Sequence, residues 1–174
     1  RLLLLLFAFP ALSPAYDAPL PPETHGMGMG GAVAAVSGGT HAVPWNPAGI
    51  ARASVPMLQA GGAYQPDPEG FGLDAVILYP TRDRTVFALS HHTEKVRAIR
   101  TASWVVVSVG APLSSNRDLL FGANLKHATL REEEGRPRRG RGMGLDLGLL
   151  YDLHLSTGSD ILTFALAARD VNTQ

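Results

Sequence analysis

No cysteine occurs anywhere in the 174 residues, which removes a disulfide framework, a thiolate metal site and a cysteine nucleophile together. Charge is also scarce, at 17% of residues, and it cancels: 15 Lys and Arg stand against 15 Asp and Glu. A chain without a net field has little electrostatic reason to hold nucleic acid, so no nucleic-acid partner is expected. The signatures G-x-S-x-G, H-E-x-x-H and the P-loop are missing. Nothing assembles a catalytic site, and the chain is read as no enzyme, with no cofactor and no metal. Helical periodicity of ordinary length and an apolar run of membrane-spanning length are absent too. What is abundant is punctuation: 19 Gly and 13 Pro divide the chain into short pieces.

The first piece is an address. Arg1 precedes Leu2, Leu3, Leu4, Leu5 and Leu6, then Phe7-Ala8-Phe9, then Pro10 and small residues. The run falls short of the roughly 20 residues a spanning helix needs, and Ser13-Pro14-Ala15 supplies small residues for cleavage. Residues 1–15 are therefore read as a secretory signal peptide cut after Ala15, with Ala18 as the second choice. The missing initiator Met leads us to expect residues upstream. Residues 16–54 follow without strand or helix texture, because Pro19-Leu20-Pro21-Pro22 can neither hold a helix nor pair as a central strand. Small residues dominate 26–37, and Gly, Pro and Asn break 38–51. This stretch is expected to be a packed plug.

From residue 55 the texture changes to segments of about ten residues with alternating polarity, ended by turn residues. Seven are expected, at 55–64, 70–79, 85–93, 101–110, 119–130, 142–154 and 161–169. Successive side chains in a strand point to opposite faces. In the fifth, Leu119, Phe121, Ala123 and Leu125 share one face while Gly122, Asn124 and Lys126 share the other. In the sixth, Met143, Leu145, Leu147, Leu149, Tyr151 and Leu153 alternate with Gly144, Asp146, Gly148, Leu150, Asp152 and His154. Soluble sandwich strands also alternate, but they usually run five or six residues. The length favours an antiparallel transmembrane β-barrel, apolar set toward lipid and Asn124, Lys126, Asp146 and Asp152 toward the lumen. Bacterial barrels have short periplasmic turns and longer outer loops. That places 80–84, 111–118 and 155–160 in the periplasm, and 94–100 and the charged 131–141 outside, while the first hairpin, 65–69, is short and departs from the rule. The aromatics Tyr64, Tyr79, Trp104 and Tyr151 fall near strand ends, as interface girdles do. Seven strands is an odd number, and open edges cannot face lipid, so the barrel is expected to be incomplete.

Several motifs have a plainer reading. Gly26-Met27-Gly28-Met29-Gly30-Gly31 fits G-x-G-x-x-G, yet Pro-Pro-Glu-Thr-His precedes it where a dinucleotide site needs a strand. Small residues there let backbone pack closely against a wall. His91 and His92 are adjacent on a strand and so face opposite ways, which prevents chelation of one ion. Glu132, Glu133 and Glu134 followed by Arg136, Arg138, Arg139 and Arg141 read either as a ligand-capturing patch or as a solvated loop. Asp146 and Asp152 lie six residues apart on one face, roughly 20 Å, too far for a general acid/base pair.

The glycine segment with Gly28, Gly30 and Gly31, followed by Trp45-Asn46-Pro47-Ala48-Gly49-Ile50-Ala51, resembles the start of the long-chain fatty-acid transporter superfamily of outer-membrane barrels, in particular its PorV/PorQ branch. There a Gly-Met-Gly-Gly-Ala segment precedes a Trp/Tyr-Asn-Pro-Ala-Gly-Leu-Ala motif. The run 144–151 of the sixth segment is also similar to a strand of that branch. Two departures are Ser37-Gly38-Gly39-Thr40-His41, where such proteins often carry acidic residues, and Pro44 before Trp45. The resemblance implies an exported cell outer-membrane barrel, in contact with its lipid, with a lumenal hatch built around Gly28, Gly30, Gly31, Trp45, Asn46, Pro47, Ala48 and Gly49. It implies either passive transport of a hydrophobic small molecule or a role beside secretion-system proteins. Chemically, Pro47 fixes one φ, Gly49 permits a left-handed bend, and Asn46 can bond the local backbone.

Overall fold

A computed structural model describes residues 33–36, 38–66, 69–96, 100–132, 138–155 and 160–171. The signal segment 1–15 and the glycines Gly28, Gly30 and Gly31 lie outside the described residues.

Seven strands form one antiparallel sheet in sequential order. They are β1 (Met57–Pro66), β2 (Glu69–Pro80), β3 (Val86–Val96), β4 (Arg100–Pro112), β5 (Leu119–Glu132), β6 (Arg138–His154) and β7 (Ile161–Ala168). Each strand pairs with the next through a hairpin, and β1 and β7 are the edges of an open sheet. No helix among the described residues is long and apolar enough to cross a membrane. The seven expected segments are all present. The largest change in bounds is at the β5–β6 hairpin, where the expected 131–141 loop is mostly ladder: Leu130 pairs with Gly140, Arg131 with Arg139 and Glu132 with Arg138. Charged side chains do not stop a strand whose backbone partners are in place, so polarity alone could not mark where pairing ends. β6 therefore has 17 residues, roughly 56 Å at the usual rise.

The β2–β3 and β4–β5 turns are built without glycine. In the β2–β3 turn the Thr81 amide donates to the Thr85 carbonyl (2.8 Å) and the Arg84 amide to that of Thr81 (3.2 Å). Arg84 takes φ 69°, and Arg117 takes φ 66° at the corresponding place before β5. A left-handed residue closing a type I turn matches the twist of the flanking strands.

The two faces of the sheet differ in kind. One carries Leu58, Phe71, Leu73, Ile77, Leu89, Val107, Leu125 and Leu166, all exposed. The other is covered by residues 38–53, which form a 3-10 turn (Gly39–His41), one helical turn α1 (Ala42–Trp45) and a second 3-10 turn (Pro47–Arg52). Ala42, Val43 and Ile50 pack on Val76, Leu78, Val86 and Ala88, and Ala48 and Ala51 pack on Leu120 and Leu150. The core of the molecule thus lies between this segment and one side of the sheet.

Candidate functional site

The segment's own chemistry shapes it. Asn46, extended at φ −151°, caps the turn that Pro47 opens, its side-chain oxygen accepting from the Ala48 amide at 3.1 Å. The left-handed bend expected of Gly49 is not used; its amide donates to the Asn46 carbonyl at 2.9 Å, and among the described residues the glycine with positive φ is Gly39 at 61°. Trp45 is buried, with the Arg169 guanidinium 5.6 Å from its ring centroid. Asn46, Pro47, Ala48 and Gly49 are all buried beneath the segment.

What receives them is a track of glycines that reading the sequence alone did not pick out. Gly110 on β4 pairs with Gly122 on β5, which pairs with Gly148 on β6, so three strands present bare backbone in one row of the covered face. A Cβ at Gly122 would overlap the Pro47 carbonyl group and the Ala48 amide nitrogen, and one at Gly148 would overlap the Asn46 amide oxygen. At Gly110 it would overlap the Ile50 side chain. Backbone meets backbone there because no side chain intervenes.

Polar side chains fasten the two ends of the track. Asn124, with 1% of its surface exposed, donates to the Val43 carbonyl at 2.7 Å and to Asp146 at 3.0 Å. Lys126 lies 2.8 Å from Asp146 and 2.6 Å from Asp170, whose own amide donates to Asp146 at 3.0 Å. Asn46 reaches across to the Leu149 carbonyl at 3.2 Å and back to Ala34 at 3.1 Å. On the far side one guanidinium nitrogen of Arg52 meets both oxygens of Asp152, at 2.7 and 3.0 Å, and Thr163 donates to the same carboxylate at 2.6 Å. Asn124, Lys126, Asp146 and Asp152 therefore stand on one covered face, as two separate groups. Asp146, on β6, serves β5 and the Asp170 amide just after β7, while Asp152 serves Arg52. No acid/base pair is formed between them. Arg52, Val43, Asp170 and Thr163 join the network as partners that the alternation pattern could not name, because each is supplied by a different element.

Two expectations about single residues need correction. Trp104 is not on the apolar face with Tyr64, Tyr79 and Tyr151; it points to the covered side, its ring 5.1 Å from that of His92. His92, next to the end of the expected segment 85–93, lies well inside the strand, since β3 continues to Val96. It is buried with both ring nitrogens unpartnered, whereas His91, exposed on the opposite face, meets the Thr93 hydroxyl at 2.8 Å. Among the described residues no group of three or more His, Cys, Asp or Glu is placed to hold an ion. The arrangement is a docking device: a notch, a capped turn that fits it, and ionic fastenings around it.

Comparison with known proteins finds no match to a protein family, a curated protein or a solved structure.

Proposed function

We propose that the chain forms part of an outer-membrane β-barrel whose lumen is plugged by residues 38–53, and that the barrel passes hydrophobic small molecules. The observation that carries this reading is the exposed face. On β2 it shows Phe71, Leu73, Ala75, Ile77 and Tyr79 in unbroken succession, aromatic at both ends. Phe71 to Tyr79 is eight steps along the strand, roughly 26 Å. That length suits an apolar band about 25 Å tall with aromatic girdles. Water would not tolerate so large a contiguous apolar face, which needs lipid or a partner to cover it. Near the short-turn end the same face carries Phe87, Phe121, Tyr151 and Phe164 on successive hairpins. Under this proposal β1 and β7 pair with further strands, because free edge groups in hydrocarbon cost several kcal/mol each.

Transport is supported by the apolar contact between segment and wall, since lifting Ala42, Val43 and Ile50 would uncover an apolar lining of Val76, Leu78, Val86 and Ala88. The test uses the full-length protein in phosphatidylcholine vesicles. A nitroxide at position 77 should relax faster with oxygen than with a water-soluble nickel chelate, and one at 76 should not. Fast relaxation of both by the chelate would remove the membrane reading. Cysteines at 52 and 152, joined by a short bismaleimide, should then stop uptake of a long-chain alkyl probe. Unchanged uptake with loss of cargo at the cell surface would instead assign the barrel to protein secretion.

A further inference from the structure

The exposed face is not uniformly apolar. Its register can be followed strand by strand at the end bearing the β1–β2, β3–β4 and β5–β6 hairpins. Phe71 pairs with Lys95, Lys95 with Thr101, Thr101 with Arg131, and Arg131 with Arg139. One row inward come Leu73, Thr93, Ser103, Thr129 and Arg141, in the same cross-strand order. The next row is mixed, Ala75, His91, Val105, His127 and Met143, and the one after it is Ile77, Leu89, Val107, Leu125 and Leu145, with no polar group. Four cations and a group of hydroxyls therefore cap an apolar field, and Lys95, Arg131, Arg139 and Arg141 are all exposed.

Among the described residues, alternation sorts the acids of these strands away from them. Glu94 and Glu132 sit one residue out of phase and face the covered side, where Glu132 pairs in register with Arg100. Glu69 shares the outward face, but it lies at the β1–β2 hairpin, two residues beyond Phe71 on a strand remote from the arginines. Among the described residues no ion pair engages Lys95, Arg139 or Arg141. The opposite rim carries Arg82, Asp83, Arg84, Arg117 and Asp118 in its turns. Guanidinium groups bind phosphate through two parallel hydrogen bonds, and a basic cluster at a bilayer's edge recruits anionic headgroups.

We infer that this row of Lys95, Arg131, Arg139 and Arg141 binds the phosphate groups of a phosphorylated lipid whose acyl chains lie along the apolar field below. The occupant is a lipid, not free phosphate, because the cations stand on the same face and strands as the apolar rows, separated from them by the hydroxyl row and one mixed row that carries His91 and His127. The hydroxyls of Thr93, Ser103 and Thr129 bridge the two zones; Thr93 and Ser103 already share a hydrogen bond of 2.9 Å. This inference rests on the membrane reading above.

The full-length protein, purified in a neutral detergent, is offered diphosphorylated lipid A and its dephosphorylated form, and retention is read by native mass spectrometry. The wild type should retain the phosphorylated form at least ten-fold better. R131Q/R139Q/R141Q should abolish that preference, R131K/R139K/R141K should keep part of it, and R84Q/R117Q on the opposite rim should leave it intact. Circular dichroism establishes that each variant keeps its strands. Equal retention of the two lipids, or an unchanged preference in the glutamine variant, would overturn the site. Displacement of the lipid by millimolar inorganic phosphate would overturn the lipid as occupant. The nitroxide at position 77 separates the two failures: oxygen accessibility there with no phosphate preference defeats this inference alone.

Discussion

Substituting Gly122 with alanine adds one methyl group at the point where the sheet and the N-terminal segment meet backbone to backbone. The new Cβ would overlap Pro47 and Ala48 main-chain atoms, which cannot rotate away as a side chain would. Either the sheet bends or the segment lifts. Forcing a methylene into a packed site costs about 1–3 kcal/mol. Lifting also breaks the bond from Asn124 to the Val43 carbonyl, worth about 1 kcal/mol. Together they weaken the seating of the segment by about 2–4 kcal/mol, which is roughly a 30- to 700-fold loss of protection at tenfold per 1.4 kcal/mol. Hydrogen exchange of peptides covering residues 42–53, in the full-length protein, reads this directly through the Asn46, Gly49 and Ala53 amides. Gly142 is the control, because on the adjacent strand β6 a Cβ there meets nothing within 4 Å. Gly142→Ala should leave exchange unchanged. Equal protection in Gly122→Ala and wild type, or equal loss in the two variants, would refute the argument that the glycine row seats the segment.

The ionic fastening on the far side is smaller: a double-mutant cycle of Arg52→Met and Asp152→Asn should give a coupling of about 1 kcal/mol in the same exchange experiment, and coupling indistinguishable from zero would make that pair incidental. On the exposed face, Ile77→Arg should cost about 2–4 kcal/mol in urea unfolding from phosphatidylcholine bilayers, with Ile77→Leu near neutral; an arginine tolerated there would mean that position 77 does not meet lipid. The Asp83 carboxyl in the β2–β3 turn is held below its ordinary value near 3.8, chiefly by the Thr81 hydroxyl that donates to it. Because the folded state favours the ionised form, this contribution is complete above the unfolded value and disappears as pH falls through the folded one, that is, below about pH 4. Thr81→Ala should raise the Asp83 midpoint in a carboxyl carbon NMR titration, and an unmoved midpoint would exclude the hydroxyl as the cause.

What the sequence determined alone is whatever repeats with the period of the backbone. Alternation along 119–130 and 142–154 placed Asn124, Lys126, Asp146 and Asp152 on the face opposite Phe121, Leu147 and Tyr151, because a strand must send neighbours to opposite sides. The strand count followed from turn residues between apolar runs. The Asn46 cap was legible for the same reason, since its partner, Ala48, is two residues away. Trp104 was misread because strand-end position says nothing about face, and 104 is even in a strand whose exposed side is odd. Register is where the sequence ran out. Gly110, Gly122 and Gly148 meet only because one hairpin is centred on residue 116 and the next on residue 135. The expected turns, 111–118 and 131–141, centre elsewhere, and a slip of one residue carries a glycine to the other face. The same registers bring Arg139 opposite Arg131 and send Glu132 inward. The tertiary structure alone decided that Arg52 closes on Asp152, one hundred residues later in the chain. An ion pair has no period, and its partners are fixed only when the segment and the sheet have already come together.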